Sequence, residues 1–427
     1  MSDTSSTDAT SAKSLALYKG HTNIITTSTG SSSNDPLGTV RRDVSDAMNS
    51  KNLSFLLGSG CSSSLDGSAE LGIPTMGPLA KDFVTSTAIS DEKKAELKER
   101  LGLDLQDPAF SRNLERLMEV LYGFRFALEQ VQGHELGAAL PLVDEVIHAV
   151  KLHVLNACIN GQTKDTNATV LKTYERFYRR LSQRDKNLAR PWIFTTNYDL
   201  FSELAMDRLG IPYINGFQGS IERRFNPSTF RYTIAEQMNI SQHKWSSVDS
   251  LLYFAKLHGS LSWHSTEEGL FPVVESWPHD PDSKLETLLI YPTPAKQNAS
   301  FASPYSDMFR ELQSRVAREQ SALITLGYGF GDEHVNNIIF QALTIPTFRL
   351  VAFVHPDASP IVKQLRDLDD PRIWIVGTED SSATWKAHYF VNFVDDIMPS
   401  LGDDPTDSAI SKLLEAVLRA ESKAPEQ

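Results

Sequence analysis

Trp192-Ile193-Phe194-Thr195-Thr196-Asn197-Tyr198-Asp199 is the stretch on which the reading of this chain turns. An apolar run is closed by an amide and a carboxylate two residues apart, the pattern of a buried strand whose tip carries polar side chains. Two other segments share that logic. Leu53 to Leu57 runs into Gly58-Ser59-Gly60-Cys61-Ser62, and Leu251 to Ala255 runs into Lys256-Leu257-His258-Gly259-Ser260. A fourth, Leu326-Gly327-Tyr328-Gly329-Phe330-Gly331-Asp332-Glu333-His334, ends one more apolar run and opens a helix.

Working outward, further strand candidates are Thr287–Tyr291, Ala322–Leu326, Leu350–Val354 and Ile373–Val376, with helical patterns at Met308–Arg318 and Glu333–Leu343. Unbroken apolar strands alternating with helices predict an α/β fold, a Rossmann-like parallel sheet flanked by helices. Residues 80–185 lack strand signals. Their apolar residues recur at helical spacing instead, as in Leu114, Leu117, Met118 and Leu121, then Val143, Ile147, Val150 and Val154, then Tyr174, Phe177, Tyr178 and Leu181. This predicts an all-helical insertion over 81–185, packing on itself and placed to cover a site or to make oligomer contacts. The Ser/Thr-rich residues 1–36 read as a mobile tail, with Leu15 to Tyr18 and Ile24-Ile25 as a patch for a partner. Residues 401–427 read as a C-terminal helix and tail, from the stripe Ile410, Leu413, Leu414 and Val417 after Pro405 and Asp407.

Composition narrows the function classes. Of 427 residues, 41% are hydrophobic, and the formal charge is −13, which argues against broad adhesion to nucleic acid or an anionic membrane. Two cysteines, Cys61 and Cys158, are too few for a disulfide framework or a four-cysteine zinc site. No secretory or membrane-spanning pattern is visible, so a cytoplasmic protein with no membrane association is expected.

Each polar cluster has a structural and a chemical reading. Gly58-Ser59-Gly60 is either a tight turn or a loop that lets backbone N–H groups at a following helix start approach a pyrophosphate. The third glycine of a dinucleotide fingerprint would fall at Ser63, and no acidic strand end follows about 20 residues on. Asn197 and Asp199 are either turn caps or groups that orient a ribose, a water or a carboxamide. His258, followed by Gly259, is either a core histidine or a general base, since imidazole ionises near neutrality. Asp332 reads as the N-cap of Glu333–Leu343. No metal ligand set is arranged around His258 and His264.

Taken in order, these segments resemble the sirtuin-like family. Sirtuins carry Gly-Ala-Gly-x-Ser, where this chain has Gly58-Ser59-Gly60-Cys61-Ser62; then Gly-Ile-Pro, here Gly72-Ile73-Pro74; then Gln-Asn-Ile-Asp, here Thr196-Asn197-Tyr198-Asp199; then His-Gly, here His258-Gly259. Gly327 to His334 looks like a hallmark of the bacterial sirtuin-like branch. The zinc module of deacylase sirtuins is excluded by the cysteine count, and Asp-Phe-Arg after Gly-Ile-Pro is replaced by Thr75-Met76-Gly77. The pattern is similar to bacterial antiphage proteins whose sirtuin-like domain hydrolyses NAD, including the type paired with a HerA-type hexameric ATPase.

The resemblance implies a catalytic domain formed by 37–80 and 186–400, with NAD as substrate and no zinc. It implies Asn197 and His258 as catalytic residues, and Gly58, Ser59, Gly60, Cys61, Ser62, Pro74, Asp199, Gly327 and Tyr328 as NAD-binding residues. Expected partners are NAD+, further copies of the chain and a HerA-type ATPase. Three alternatives stay open at this point: a protein deacylase or ADP-ribosyltransferase on the same core, a non-catalytic NAD or ADP-ribose-binding scaffold, and a generic oxidoreductase.

Overall fold

The computed structural model describes residues 14–27, 35–66, 69–131, 135–163, 167–239, 244–266, 273–276, 287–289 and 303–399. Seven strands make the body of a central sheet: β1 (Leu15–Lys19), β2 (Asn52–Leu57), β3 (Trp192–Thr195), β4 (Leu252–Lys256), β5 (Ser321–Leu326), β6 (Arg349–Phe353) and β7 (Ile373–Thr378). Across the sheet the order is Thr22–Asn23, β1, β7, β6, β5, β2, β3, β4, Tyr213–Ile214. From β7 to Tyr213–Ile214 every pairing is parallel. The six long parallel strands follow the doubly wound order 3-2-1-4-5-6, whose direction reverses between β2 and β5. Both faces are covered, so β5 and β7 are buried at every position and read as continuous apolar runs.

One face is packed by α1 (Pro36–Met48), α6 (Ala168–Leu181) and α7 (Phe201–Leu209), through Val44, Phe177 and Met206 against Phe55, Ile193 and Val351. Phe177 meets Phe55 edge-on with ring centroids 5.2 Å apart. Truncating such a ring costs about 3–5 kcal/mol. The other face is packed by α8 (Tyr305–Val316), α9 (Glu333–Ala342) and α10 (Pro360–Asp367), through Leu312, Ile339 and Leu365 against Phe194, Leu323 and Ile375.

The long connection from β2 to β3 holds a helical module with its own apolar core. It contains α2 (Met76–Thr85), α3 (Asp91–Leu101), α4 (Leu114–Gln130) and α5 (Leu140–Thr163), joined through Phe83, Leu97, Leu117 and Val146. Its limits differ from the expected 81–185. Leu79 and Ala80 already belong to the module, whereas Tyr174, Phe177 and Tyr178 of α6 pack on the sheet. Helical periodicity reports that a face is apolar, not which partner covers it.

Two further expectations are corrected. Leu15–Lys19, read as part of a mobile tail with a partner-docking patch, is a strand of the central sheet between Thr22–Asn23 and β7, antiparallel to both, and Leu17 is fully buried. Thr287–Leu289 does not join the central sheet; it pairs with Gly259–Ser265 in a second, antiparallel sheet of five strands. Residues 1–13, 28–34, 290–291 and the C-terminal helix expected over 401–427 lie outside the described residues.

Candidate active site

Four adjacent strands end flush. Leu57 pairs with both Leu326 and Thr195, and Thr195 pairs with Lys256. Gly58, Thr196, Leu257 and Gly327 therefore leave the sheet side by side at its carboxyl edge. That edge, at the reversal between β2 and β5, is where open α/β sheets bind ligands.

The glycines there serve the chain itself first. Gly327 has φ +60, and a Cβ on it would stand 2.5 Å from the Cys61 nitrogen; one on Gly58 would collide with the Gly327 carbonyl. The two loops touch backbone to backbone, tied by Gly58 N–H to Leu326 O at 2.9 Å and Gly60 N–H to Gly327 O at 3.0 Å. The expected helix start after the glycine loop is absent. Ser59–Cys61 is a single 3-10 turn leading into the hairpin Ser63–Asp66 and Ala69–Gly72. Cys61 donates to Leu326 O, and burial pushes its thiol well up, so it is an inert packing group.

Ser62 is the hub of a buried polar network. Its Oγ donates to Asp199 Oδ2 at 2.6 Å, accepts from Asn197 Nδ2 at 2.8 Å and lies 3.0 Å from the Tyr174 hydroxyl. Asn197 Nδ2 also donates to the Gly58 carbonyl at 2.9 Å. A carbonyl can only accept, which fixes the amide's orientation. Both amide hydrogens are spent in this way, so Asn197 has its Oδ1 left to offer a water or hydroxyl. Asp199 Oδ1 accepts from Phe201 N–H at 3.0 Å. The carboxylate expected to hold a carboxamide or ribose thus has both oxygens engaged in fixing the loop.

His258 Nε2 stands 2.8 Å from Asp332 Oδ2. The ring N–H is not aligned on that oxygen as a regular hydrogen bond requires, and the nitrogen has no other hydrogen-bond partner. The contact becomes an ion pair only when the ring is protonated. Asp332 is also the expected cap, its Oδ1 accepting from Val335 N–H at 3.0 Å. The loop before it is held by Asn336, which bonds Tyr328 OH at 2.9 Å and Phe330 O at 2.9 Å. Phe330 is buried with φ 57, a left-handed conformation that costs a non-glycine residue about 1–2 kcal/mol and persists only where its surroundings enforce it.

Beneath the Asn197 loop lies a buried ion pair absent from the sequence reading. Lys256 Nζ is 3.1 Å from Glu203 Oε1, donates to Tyr198 O at 3.2 Å and also bonds Asp199 O. Burial raises the Glu203 carboxyl to about 7, with Lys256 pulling the other way. The signal was present, as a lysine closing an otherwise apolar run.

Two cavities share the edge. The smaller, about 360 Å³, is lined by Ser59, Ser62, Pro74, Asn197, Asp199 and His258, together with Glu115 and Asp332. Leu114 and Met118 of α4 and Val150 and Val154 of α5 also line it, so the helical module contributes a wall. The larger, about 930 Å³, is lined by Gly60 and Cys61, by the end of β6 and by residues 382–392. Gly327, Tyr328 and Gly329 line both, whereas Gly58 lines neither. The structure therefore brings Asn197 and His258 into one cavity. Sequence reading missed Asp332 as the neighbour of His258 and the Lys256–Glu203 pair, whereas the helical insertion was expected to cover a site or make oligomer contacts. Among the described residues no group of three or more His, Cys, Asp or Glu side chains could hold a metal ion, and no helix is long and apolar enough to cross a membrane.

Residues 191–369 match the family model described as a SIR2-like domain. The matched span holds Asn197, Asp199, His258, Gly327, Tyr328 and Asp332, and leaves out the glycine loop and the helical module. No curated protein matches the chain. On a mainly parallel sheet flanked by helices, the match supports a sirtuin-like family and NAD-related chemistry in general.

Proposed function

We propose that the chain is an NAD+ glycohydrolase, releasing nicotinamide and ADP-ribose. One observation carries the reading. A small cavity bearing Asn197, His258 and the carboxylates Asp199, Asp332 and Glu115 adjoins, at Gly327–Gly329, a larger cavity with no carboxylate among the described residues that line it. NAD+ has the same polarity, with a cationic nicotinamide riboside at one end and a pyrophosphate and adenosine at the other. The SIR2-like match supports NAD as the ligand.

In this reading the C1′–nicotinamide bond breaks and its electron pair goes to the ring nitrogen. Nicotinamide leaves neutral, and positive charge passes to the sugar as an oxocarbenium-like transition state. Carboxylates already fixed around the smaller cavity stabilise that charge without reorganising. Asn197 Oδ1 orients the attacking water, whose oxygen bonds C1′ and whose proton passes to His258. The apolar wall from α4 and α5 limits bulk water and leaves less room for an acylated peptide than an open groove would.

The chain's tendency to consume a shared metabolite calls for gating. We propose control by assembly of further copies or by a HerA-type ATPase, in cytoplasmic antiphage defence. Incubation with NAD+ and chromatography of the products, with and without such a partner, tests the reading. Nicotinamide and ADP-ribose should accumulate with the native chain and not with Asn197→Ala or His258→Ala. Intact NAD+ under activating conditions, or undiminished cleavage by both variants, would overturn it. Turnover only with an acylated peptide would favour a deacylase, and calorimetric binding without turnover a scaffold.

A further inference from the structure

The larger cavity carries a cationic side chain, Lys386, that the cleavage reaction does not use. Among the described residues, its ionisable lining includes Lys386, His355 and His388, and no Asp or Glu. Acidic residues of the same segments are committed elsewhere. Asp357 pairs with Arg366 at 3.0 Å, Glu379 accepts from Tyr18 OH at 2.5 Å, and Asp380 accepts from Ser382 N–H at 2.8 Å and Ser382 Oγ at 2.6 Å. Lys386 has no ion pair among the described residues; Asp380 acts on it only at a distance.

Each of the two histidine rings accepts a backbone N–H at its Nδ1. His355 Nδ1 accepts from Asp357 N–H at 3.1 Å, so its Nε2 carries the proton and faces Glu379 O at 3.2 Å. His388 Nδ1 accepts from Thr378 N–H at 3.4 Å, leaving Nε2 as a donor. Burial first, and then the neighbouring His355 and Lys386, push the His388 pKa down to about 4. A lysine and an imidazole N–H beside hydroxyl groups, with no carboxylate of the described residues between them, suit a phosphate dianion.

Sites that select NAD over its 2′-phosphorylated form place an acidic residue on the adenosine ribose, where it binds the 2′-hydroxyl and repels a phosphate. The larger cavity offers the opposite charge. Resting on the NAD reading of the cleft, we infer that the adenosine subsite accepts a 2′-phosphomonoester, so that NADP+ is a substrate alongside NAD+, with Lys386 the specificity-determining cation.

The test uses binding as well as turnover. ADP-ribose and 2′-phospho-ADP-ribose lack the scissile bond, so calorimetry reads the subsite whether or not the chain cleaves dinucleotides. The phosphorylated ligand should bind within about threefold of ADP-ribose or tighter, and added salt should weaken it more. Lys386→Ala should shift the ratio about fivefold or more against the phosphorylated ligand, with an unchanged melting temperature. Preference for ADP-ribose by more than about tenfold in the native chain, an unchanged ratio in Lys386→Ala, or binding of neither ligand would overturn the inference. Cleavage of NAD+ with NADP+ untouched would also overturn it while leaving the hydrolase reading intact. Binding of the phosphorylated ligand without cleavage of either dinucleotide would remove the hydrolase reading and keep the subsite.

Discussion

Asp332 presents one carboxylate oxygen to each of two tasks: Oδ1 caps α9 through Val335 N–H, and Oδ2 lies 2.8 Å from His258 Nε2. A substitution can separate them, because asparagine caps a helix about as well as aspartate but carries no charge for an imidazolium. Asp332→Asn should leave the melting temperature within about a degree or two of the native value, a cap change worth a few tenths of a kcal/mol. Its kcat for NAD+ cleavage should fall about 10–100-fold with little change in KM, as expected for a group acting on the base in the transition state. Asp332→Ala should add a stability loss of about 1 kcal/mol. Equal kcat for Asp332→Asn and the native chain would reduce Asp332 to a cap.

Ser62 serves Asn197, Asp199 and Tyr174 at once. Ser62→Ala removes a buried hub and leaves polar groups on three sides without their partner. The expected loss is about 2–3 kcal/mol in chemical denaturation, together with most of the NAD+ cleavage, because the Asn197 amide is no longer pinned. Asn197→Asp should be no milder. It turns a carboxylate oxygen toward the Gly58 carbonyl where an N–H now donates. Native-like stability in either variant would contradict the network.

Much of this layout was legible in the residues. Runs such as Leu53–Leu57 and Ala322–Leu326 could only be buried strands, and their polar tips marked the edge at which the site forms. What escaped were features set by neighbours distant in sequence. Leu15–Lys19 sits among serines and threonines, and only β7 makes it a strand. The stripe of α6 resembled those of α4 and α5, yet it faces Phe55. Asp332 was legible as a cap, but its second oxygen gained a meaning only once β4 and β5 delivered His258 to it. Gly58 and Gly60 were read as room for a ligand, when the nearer demand was room for Gly327.

Gly327 tests that last point directly. Alanine there meets both a positive φ and the Cys61 nitrogen at 2.5 Å, and backbone cannot yield as a side-chain tip can. Gly327→Ala should cost more than about 2 kcal/mol by denaturant titration, beyond the roughly 1 kcal/mol of left-handed strain alone. Because Gly327 lines both cavities, the variant should also raise KM for NAD+. Gly329 also lines both, and a Cβ on it meets nothing within 4 Å. Gly329→Ala should therefore lose well under half as much stability, and equal losses at the two positions would refute the close-approach argument.

The Lys256–Glu203 pair gives stability a pH signature. Burial raises the Glu203 carboxyl to about 7 in the folded chain, against about 4.3 for an unfolded glutamate. The folded state therefore holds a proton that the unfolded state has lost, and the stabilisation this brings is complete below about pH 4 and disappears as pH rises toward 7. Glu203→Gln is neutral throughout, so its melting temperature should fall less between pH 5 and pH 8 than that of the native chain, a difference on the order of 2 kcal/mol at most. Lys256→Met works in the other direction. It strips the Tyr198 and Asp199 carbonyls of their donor and leaves Glu203 buried without its cation, for a loss of about 3–5 kcal/mol near neutral pH. Adding Glu203→Gln to Lys256→Met should recover part of that loss, since the stranded charge is gone, but not the cleavage activity, since the loop carrying Asn197 still lacks its anchor. Parallel pH profiles for native and Glu203→Gln protein would mean that Glu203 keeps an ordinary carboxylate pKa in the folded chain, and no recovery in the double variant would mean that no stranded charge accounts for the Lys256→Met loss.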